Sequence, residues 1–275
     1  MICLKNKSDE LSCRGRKMIF FIGPVRCGTT WLYSMFRNNT QCSYIPGKEI
    51  YYFEKAGDNA NIERYFSKFV HRSNIYVDLS PTYIASEEAA KKIKAFFPDC
   101  LIVIIKRNPA DIAVSLYKYI KRNGKSDCSY DEFLMHQRFA KTRNIFRYSM
   151  HLPIWKKHYR DDQIVYLDYC DFRAGPEKYF FDVCRKLGLT PVTNCRLYDK
   201  INDSLGQPRM RYVYRAIIWL GRNFQTLLGR SKLLRWRILF DKIMIDKSTS
   251  EYIPQRLLRA TENYFSSDHK YMESL

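Results

Sequence analysis

The stretch Gly23-Pro24-Val25-Arg26-Cys27-Gly28-Thr29-Thr30-Trp31 has the residue types and spacing to hold a tetrahedral anion. Two glycines bracket a turn, an arginine lies inside it and two threonines follow it. Backbone N–H groups at the start of a helix lack intrahelical partners and carry the positive end of the helix dipole, so such a turn binds phosphate or sulfate. Arg26 adds a fixed charge, and Thr29 and Thr30 add hydroxyl donors. The spacing approaches that of a nucleoside-triphosphate loop. That chemistry requires Lys followed by Ser or Thr, whereas Gly28 runs directly into Thr29 and Thr30.

A second candidate lies further along. Lys106-Arg107-Asn108-Pro109 follows the apolar run Leu101-Ile102-Val103-Ile104-Ile105, and Ser115 stands eight residues after Arg107. Both anion sites need the same support, a buried strand entering a turn that opens a helix. Phe20-Phe21-Ile22 and Leu101–Ile105 have the continuous apolar character of strands covered on both faces of a parallel sheet. Pro109 at the start of a helically spaced segment, after Asn108, marks the second helix. Tyr76–Leu79 and Gln163–Tyr169 are two further strand candidates, and a helix is expected from about Pro176 through Leu187, ending at Gly188. Strands alternating with helices predict an α/β fold, a single P-loop-like domain with a central parallel sheet flanked by helices and ligands at the carboxyl ends of its strands.

The two turns, in this order, resemble those of sulfotransferases that use 3′-phosphoadenosine 5′-phosphosulfate (PAPS). The usual first loop of that superfamily is Gly-x-x-Lys-Ser-Gly-Thr-Thr-x-Leu, and here Arg26 stands at the lysine and Cys27 at the serine. The resemblance implies that Arg26, Cys27, Gly28, Thr29, Thr30 and Trp31 hold the 5′-phosphosulfate and that Arg107 and Ser115 bind the 3′-phosphate. It also implies that no metal is needed. Many relatives carry Arg where Ile112 sits. A late basic loop closes the cofactor site in the superfamily, and Leu205-Gly206-Gln207-Pro208-Arg209-Met210-Arg211 is its counterpart, with Arg209 or Arg211 expected to reach the 3′-phosphate and Arg209 taken as the site residue.

Pro46-Gly47-Lys48-Glu49-Ile50-Tyr51-Tyr52-Phe53 resembles the Lys-Glu-x-x-Phe-Phe stretch of carbohydrate sulfotransferases, the heparan sulfate group included. In those enzymes the glutamate is the base. Sulfuryl transfer deprotonates the attacking hydroxyl or amine and places positive charge on the leaving phosphate, so Glu49 fits the first task and Arg26 and Lys48 the second. His71, between the two anion motifs, is the alternative base. Ser80-Pro81-Thr82-Tyr83 resembles the Ser-Pro-x-Tyr element of the same enzymes, which makes Ser80 and Tyr83 the expected substrate contacts, although Leu79 replaces the usual lysine before it. A carbohydrate or glycolipid acceptor is implied.

Composition agrees with one enzyme domain over residues 1–275, with a core of about 18–205. The chain is 46% hydrophobic and 15% aromatic, enough to build a large core. The net charge of +19 is concentrated late. Residues 209–245 carry Arg209, Arg211, Arg215, Arg222, Arg230, Lys232, Arg235, Arg237 and Lys242 against the single acid Asp241, interleaved with aromatic and aliphatic residues. A basic amphipathic helical segment of this kind covers the core, contacts an anionic membrane or meets an acidic polymer. No nucleic-acid motif accompanies it, and none is expected as a partner. Nine cysteines without Cys-x-x-Cys pairing point to a reducing compartment rather than zinc or disulfides, and a polar amino terminus points to a cytoplasmic protein, membrane-associated if at all on the cytoplasmic face. Cys27, at a cationic helix start, is expected to have a lowered pKa unless burial opposes it. Two readings outside this family stay open: a P-loop phosphotransferase, with Asp78 the carboxylate for Mg²⁺, and a non-catalytic polyanion- or membrane-binding protein.

Overall fold

A computed structural model describes residues 15–55, 61–123, 126–191, 207–210, 213–214, 216–217, 220, 240, 243–246 and 252–275. Strands β1 (Lys17–Gly23), β2 (Ser43–Tyr44), β3 (Ile75–Leu79), β4 (Leu101–Lys106) and β5 (Ile164–Asp168) form one sheet. Its order is β2-β3-β1-β4-β5, and every pairing is parallel. The expected α/β architecture is therefore present. β2 was not expected; at two residues it is too short to show periodicity, and only its pairing with β3 makes it a strand.

Alternation along the strands divides the interior into two cores. Ile19, Phe21, Val77, Leu79, Val103, Ile105 and Leu167 face one side. They meet helices Thr29–Asn39, Pro109–Arg122 and Pro176–Leu187. Met18, Phe20, Ile22, Tyr76, Ile102 and Ile104 face the other, where Phe53, Tyr65, Ile93, Leu152 and Trp155 cover them. Both sides of β1 are buried, which is why its sequence is a continuous apolar run and not an alternating one.

Local signals in the sequence set the helix ends. The Asn108 side chain caps the helix Pro109–Arg122 by accepting from the Ala110 N–H at 2.9 Å. Gly188 closes Pro176–Leu187 in the left-handed region, with φ of 61°. Near the carboxyl end, helix Ser266–Glu273 is anchored by Asp268, fully buried, which accepts from Arg147 Nε at 2.8 Å and from the Ser149 N–H at 3.1 Å.

The chain leaves β1 toward β2 and β3 on one side of the sheet and leaves β4 toward β5 on the other. The turns after β1 and β4 thus diverge, and a crevice opens between their carboxyl ends. Arg26 and Arg107 emerge at this point. Most of residues 209–245 lie outside the described residues, as do Cys3, Cys13 and Cys195. At the edges of that segment Gln207–Pro208 pairs antiparallel with Ile245–Asp246.

Gly23 ends β1 with φ of 139°, and a Cβ there would collide with the Pro81 carbonyl. Gly23→Ala should therefore destabilise the fold by about 2 kcal/mol or more, read as a lowered urea midpoint.

Candidate active site

The turn after β1 ends at Gly28, which precedes helix Thr29–Asn39 in the left-handed region with φ of 75° and caps it without a side chain. The first-turn N–H groups of that helix therefore point into the turn without a capping side chain. Lys48 comes to the same place from the loop after β2. Its Nζ donates to Thr29 Oγ1 at 2.8 Å and to Thr30 Oγ1 at 3.1 Å, and lies 2.7 Å from Glu49 Oε1. Lys48 is buried, whereas the Glu49 side chain remains 31% exposed, so the carboxylate is the reachable end of the pair. The Tyr51 hydroxyl donates to Glu49 Oε2.

This arrangement strains the backbone. Among the described residues the non-glycine positions with positive φ are Arg26 (64°), Lys48 (60°), Glu49 (37°) and Tyr51 (52°). Each such conformation costs on the order of 1–2 kcal/mol in an L-residue, and its concentration in one place marks a functional constraint. The loop after β2 is folded to present Lys48 and Glu49 to the turn after β1.

The second anion turn is built on Tyr148. Its hydroxyl lies 3.0 Å from the Arg107 N–H, 3.1 Å from the Ile105 carbonyl and 3.2 Å from the Arg107 carbonyl, which fixes the backbone where β4 ends. The Arg107 guanidinium lies 4.3 Å from the Tyr169 ring centroid and donates through Nη1 to the Arg26 carbonyl. Arg107 Nε is buried without a hydrogen-bond partner among the described residues. Ser115 is buried on helix Pro109–Arg122, and its Oγ lies 3.2 Å from Arg26 Nε. Arg26 also lies over Tyr119, 4.7 Å from the ring centroid. Burial, joined by Arg122 and Arg107 as like charges and opposed by Tyr119, pulls the Arg26 pKa down to about 10; it stays charged at neutral pH.

The structure thus brings Arg26, Gly28, Thr29, Thr30, Lys48, Glu49, Arg107 and Ser115 into one region. Other expected site residues lie elsewhere. Tyr83 is fully buried, and its hydroxyl accepts the Phe53 N–H at 3.3 Å. Ser80 is fully buried and donates to Asp78 Oδ1 at 2.7 Å. Both side chains belong to the core beneath the loop and are not exposed, where the sequence reading expected them to face an acceptor. The Trp31 indole is buried against Phe172, Tyr179 and Phe180, leaving only its backbone for the anion turn. Arg209 is exposed, with its N–H on the Met244 carbonyl at 2.9 Å, and no contact among the described residues joins it to Arg107.

Cys27 also departs from expectation. Its thiol is buried, and burial pushes its pKa up to about 12, outweighing the opposite pull of Arg107 and Arg26. His71 precedes β3, at the amino ends of the strands and so across the sheet from the anion turns, where its Nδ1 lies 2.9 Å from the Tyr76 hydroxyl. Asp78, the carboxylate a Mg²⁺ site would require, is buried and accepts from Tyr65 and Ser80. Burial, with Glu49 and Glu54 nearby, pushes its pKa up to about 6 against the pull of those two hydrogen bonds. Sequence reading did not single out Tyr51, Tyr119, Arg122, Tyr148 or Tyr169. The first two had a usable signal: Tyr51 stands two residues after Glu49, and Tyr119 lies one helical turn after Ser115.

Fold and site together define an α/β protein with two adjoining cationic turns, made for a ligand with two anionic ends, and a carboxylate beside one of them. The chain belongs to the sulfotransferase family: the family model for the sulfotransferase domain matches residues 16–205. It is 25% identical over 232 residues to a bifunctional heparan sulfate N-deacetylase/N-sulfotransferase 1 of Caenorhabditis elegans, which covers 74% of this chain and 27% of that protein. It is 26% identical over 220 residues to the human bifunctional heparan sulfate N-deacetylase/N-sulfotransferase 2, covering 72% of this chain and 25% of that protein. The chain thus spans about a quarter of the length of these relatives. A sulfotransferase from Alicyclobacillus acidocaldarius shares the fold with a TM-score of 0.57 at 20% identity, over 81% of this chain and 99% of that one. A mouse sulfotransferase complexed with PAP shares it with a TM-score of 0.52 at 16% identity, over 98% and 94%.

Two outcomes follow from the titrating groups. Iodoacetamide at pH 8 should alkylate exposed Cys170 well before Cys27 in the folded protein, as read by peptide mass spectrometry. Asp78 binds its proton more tightly folded than unfolded, so its contribution to stability is present below pH 3.8 and lost as pH rises to about 6. Relative to Asp78→Asn, the wild-type protein should lose on the order of 3 kcal/mol of unfolding free energy between about pH 4 and 7 in denaturant titrations.

Proposed function

We propose that the protein transfers a sulfuryl group from PAPS to a hydroxyl or amine of a carbohydrate acceptor. The observation that carries this reading is the placement of Lys48, whose ammonium reaches Thr29 and Thr30 of the anion turn on one side and Glu49 on the other. One cation thereby joins the place for a leaving phosphate to the place for a base. The second anion turn supports a nucleotide with a further phosphate, because Arg107 offers a buried Nε without a partner among the described residues. The acceptor class rests on the relatives, which are named for heparan sulfate N-sulfation.

PAPS, when bound, supplies an electrophilic sulfur whose leaving group is a phosphate. The protein's share is positioning and charge. The turn's N–H groups, the Thr29 and Thr30 hydroxyls and Lys48 hold an anion at the helix start and offset charge that grows on it. Glu49 accepts the proton of the attacking hydroxyl or amine at its carboxylate, the exposed end of the pair. Tyr51, donating to Oε2, and Lys48, beside Oε1, hold the carboxylate in a single orientation. Arg107, fixed by Tyr148 and backed by Tyr169, anchors the distant end of the nucleotide.

Glu49→Gln should lower kcat by about 10²–10⁴-fold in sulfuryl transfer to an N-deacetylated heparan oligosaccharide while leaving affinity for adenosine 3′,5′-bisphosphate within about threefold. Calorimetric titration should show that bisphosphate binding more tightly than ATP or AMP, and Arg107→Ala should weaken it by about 10- to 100-fold. Equal or absent binding of the three nucleotides counts against PAPS as donor.

A further inference from the structure

We infer that Asp268, on the carboxyl-terminal helix Ser266–Glu273, is a positioning residue for the second anion turn and acts on Arg107 through Tyr148. The inference rests on the reading of Arg107 as the anchor of the nucleotide's distant phosphate. It brings into the nucleotide site a helix that lies beyond residues 16–205, the stretch matched by the family model.

Four successive residues carry the link. Phe146 packs on Phe265, with ring centroids 5.3 Å apart. Arg147 donates through Nε to Asp268 Oδ2 at 2.8 Å, and its guanidinium lies 5.8 Å from the Tyr264 ring centroid. Ser149 gives Asp268 Oδ1 two hydrogen bonds, from its N–H at 3.1 Å and from its hydroxyl at 2.5 Å. Between Arg147 and Ser149, Tyr148 joins the other core. There its buried hydroxyl accepts from the Arg107 N–H and donates toward the Ile105 and Arg107 carbonyls. Three of the four residues are thus held by the carboxyl-terminal helices, and the fourth holds the anion turn.

The chemistry of the contact explains why a carboxylate stands there. Helix Tyr148–His158 follows Arg147, whose own side chain does not cap it. The Ser149 N–H belongs to the first turn, which lacks intrahelical acceptors and carries the positive end of the helix dipole. Asp268 supplies the missing acceptor and the matching charge from 119 positions further along the chain. It is fully buried, so its oxygens need partners, and Arg147 and Ser149 provide them with directed, charge-assisted bonds. A carboxylate bonded on both oxygens fixes where the helix begins. Tyr148 is the first residue of that helix, so the place of its hydroxyl follows. That hydroxyl in turn sets where the Arg107 side chain leaves the end of β4, with its buried Nε toward the anion site.

Calorimetric titration of the full chain with adenosine 3′-monophosphate, adenosine 5′-monophosphate and adenosine 3′,5′-bisphosphate reads the effect. Asp268→Ala should weaken the 3′-monophosphate and the bisphosphate by about 10-fold and leave the 5′-monophosphate within about twofold. Asp268→Asn keeps the shape and an acceptor for the Ser149 N–H but loses the ion pair with Arg147. It should show the same selectivity at about 3- to 5-fold, and it keeps the test decisive if Asp268→Ala fails to fold. In a Tyr148→Phe background either substitution should change 3′-monophosphate affinity by less than about twofold, because the hydroxyl that transmits the effect is gone. Equal weakening of both monophosphates, unchanged affinities in a destabilised variant, or an undiminished effect in the Tyr148→Phe background overturns the positioning role while PAPS stands as donor. Failure of the wild-type protein to bind the bisphosphate overturns the donor and this role together.

Discussion

The contact between the Lys48 ammonium and the hydroxyls of Thr29 and Thr30 ties two distant pieces of chain into one site. Helix Thr29–Asn39 follows β1, whereas Lys48 follows β2 at the sheet's edge. Neither segment alone has both an anion cradle and a carboxylate. A buried ammonium is tolerated only when its donors are satisfied, and here two hydroxyls and Glu49 satisfy them. The requirement propagates: Lys48, Glu49 and Tyr51 adopt left-handed backbone conformations so that the loop can bring the charge down onto the helix start. The core beneath must be rigid enough to hold that strain. Phe53, packed among Phe20, Tyr65 and Tyr83, pins the loop immediately after Tyr51.

The arginines at the second turn pose the opposite electrostatic problem. Like charges are gathered with aromatic rings as their supports, Tyr119 under Arg26 and Tyr169 under Arg107. A ring face attracts a guanidinium without neutralising it. Charge supported in this way stays available to an anion, whereas a carboxylate partner would compete with one. Burial strengthens the effect by lowering the local dielectric constant.

Much of the fold was legible. The apolar runs of β1 and β4, the Asn108-Pro109 start and the Gly188 stop each report a local physical preference, and each element formed where its signal lay. The two-residue β2 had no such signal. The closeness of Arg26, Gly28, Thr29, Thr30, Arg107 and Ser115 was legible because a strand, a turn and a helix in succession constrain them. The burial of the Ser80, Tyr83 and Trp31 side chains was not legible, since a sequence motif gives residue types but not the direction in which side chains point. At the end of β3 that direction is inward, where Ser80 supports Asp78 and Tyr83 holds Phe53.

The sequence by itself determined the α/β class, the family's paired anion turns and the presence of a Lys-Glu pair between them, because these depend on local periodicity, capping and fixed spacing. The tertiary structure decided that Lys48 meets Thr29 and Thr30, that Ser80 and Tyr83 lie in the core, and that Cys27 carries a buried, high-pKa thiol. The reason is one of range. Backbone preferences act over a few residues, whereas desolvation and charge–charge coupling depend on what the fold brings within a few ångströms, and Arg26 meets Ser115 across eighty-nine positions of chain.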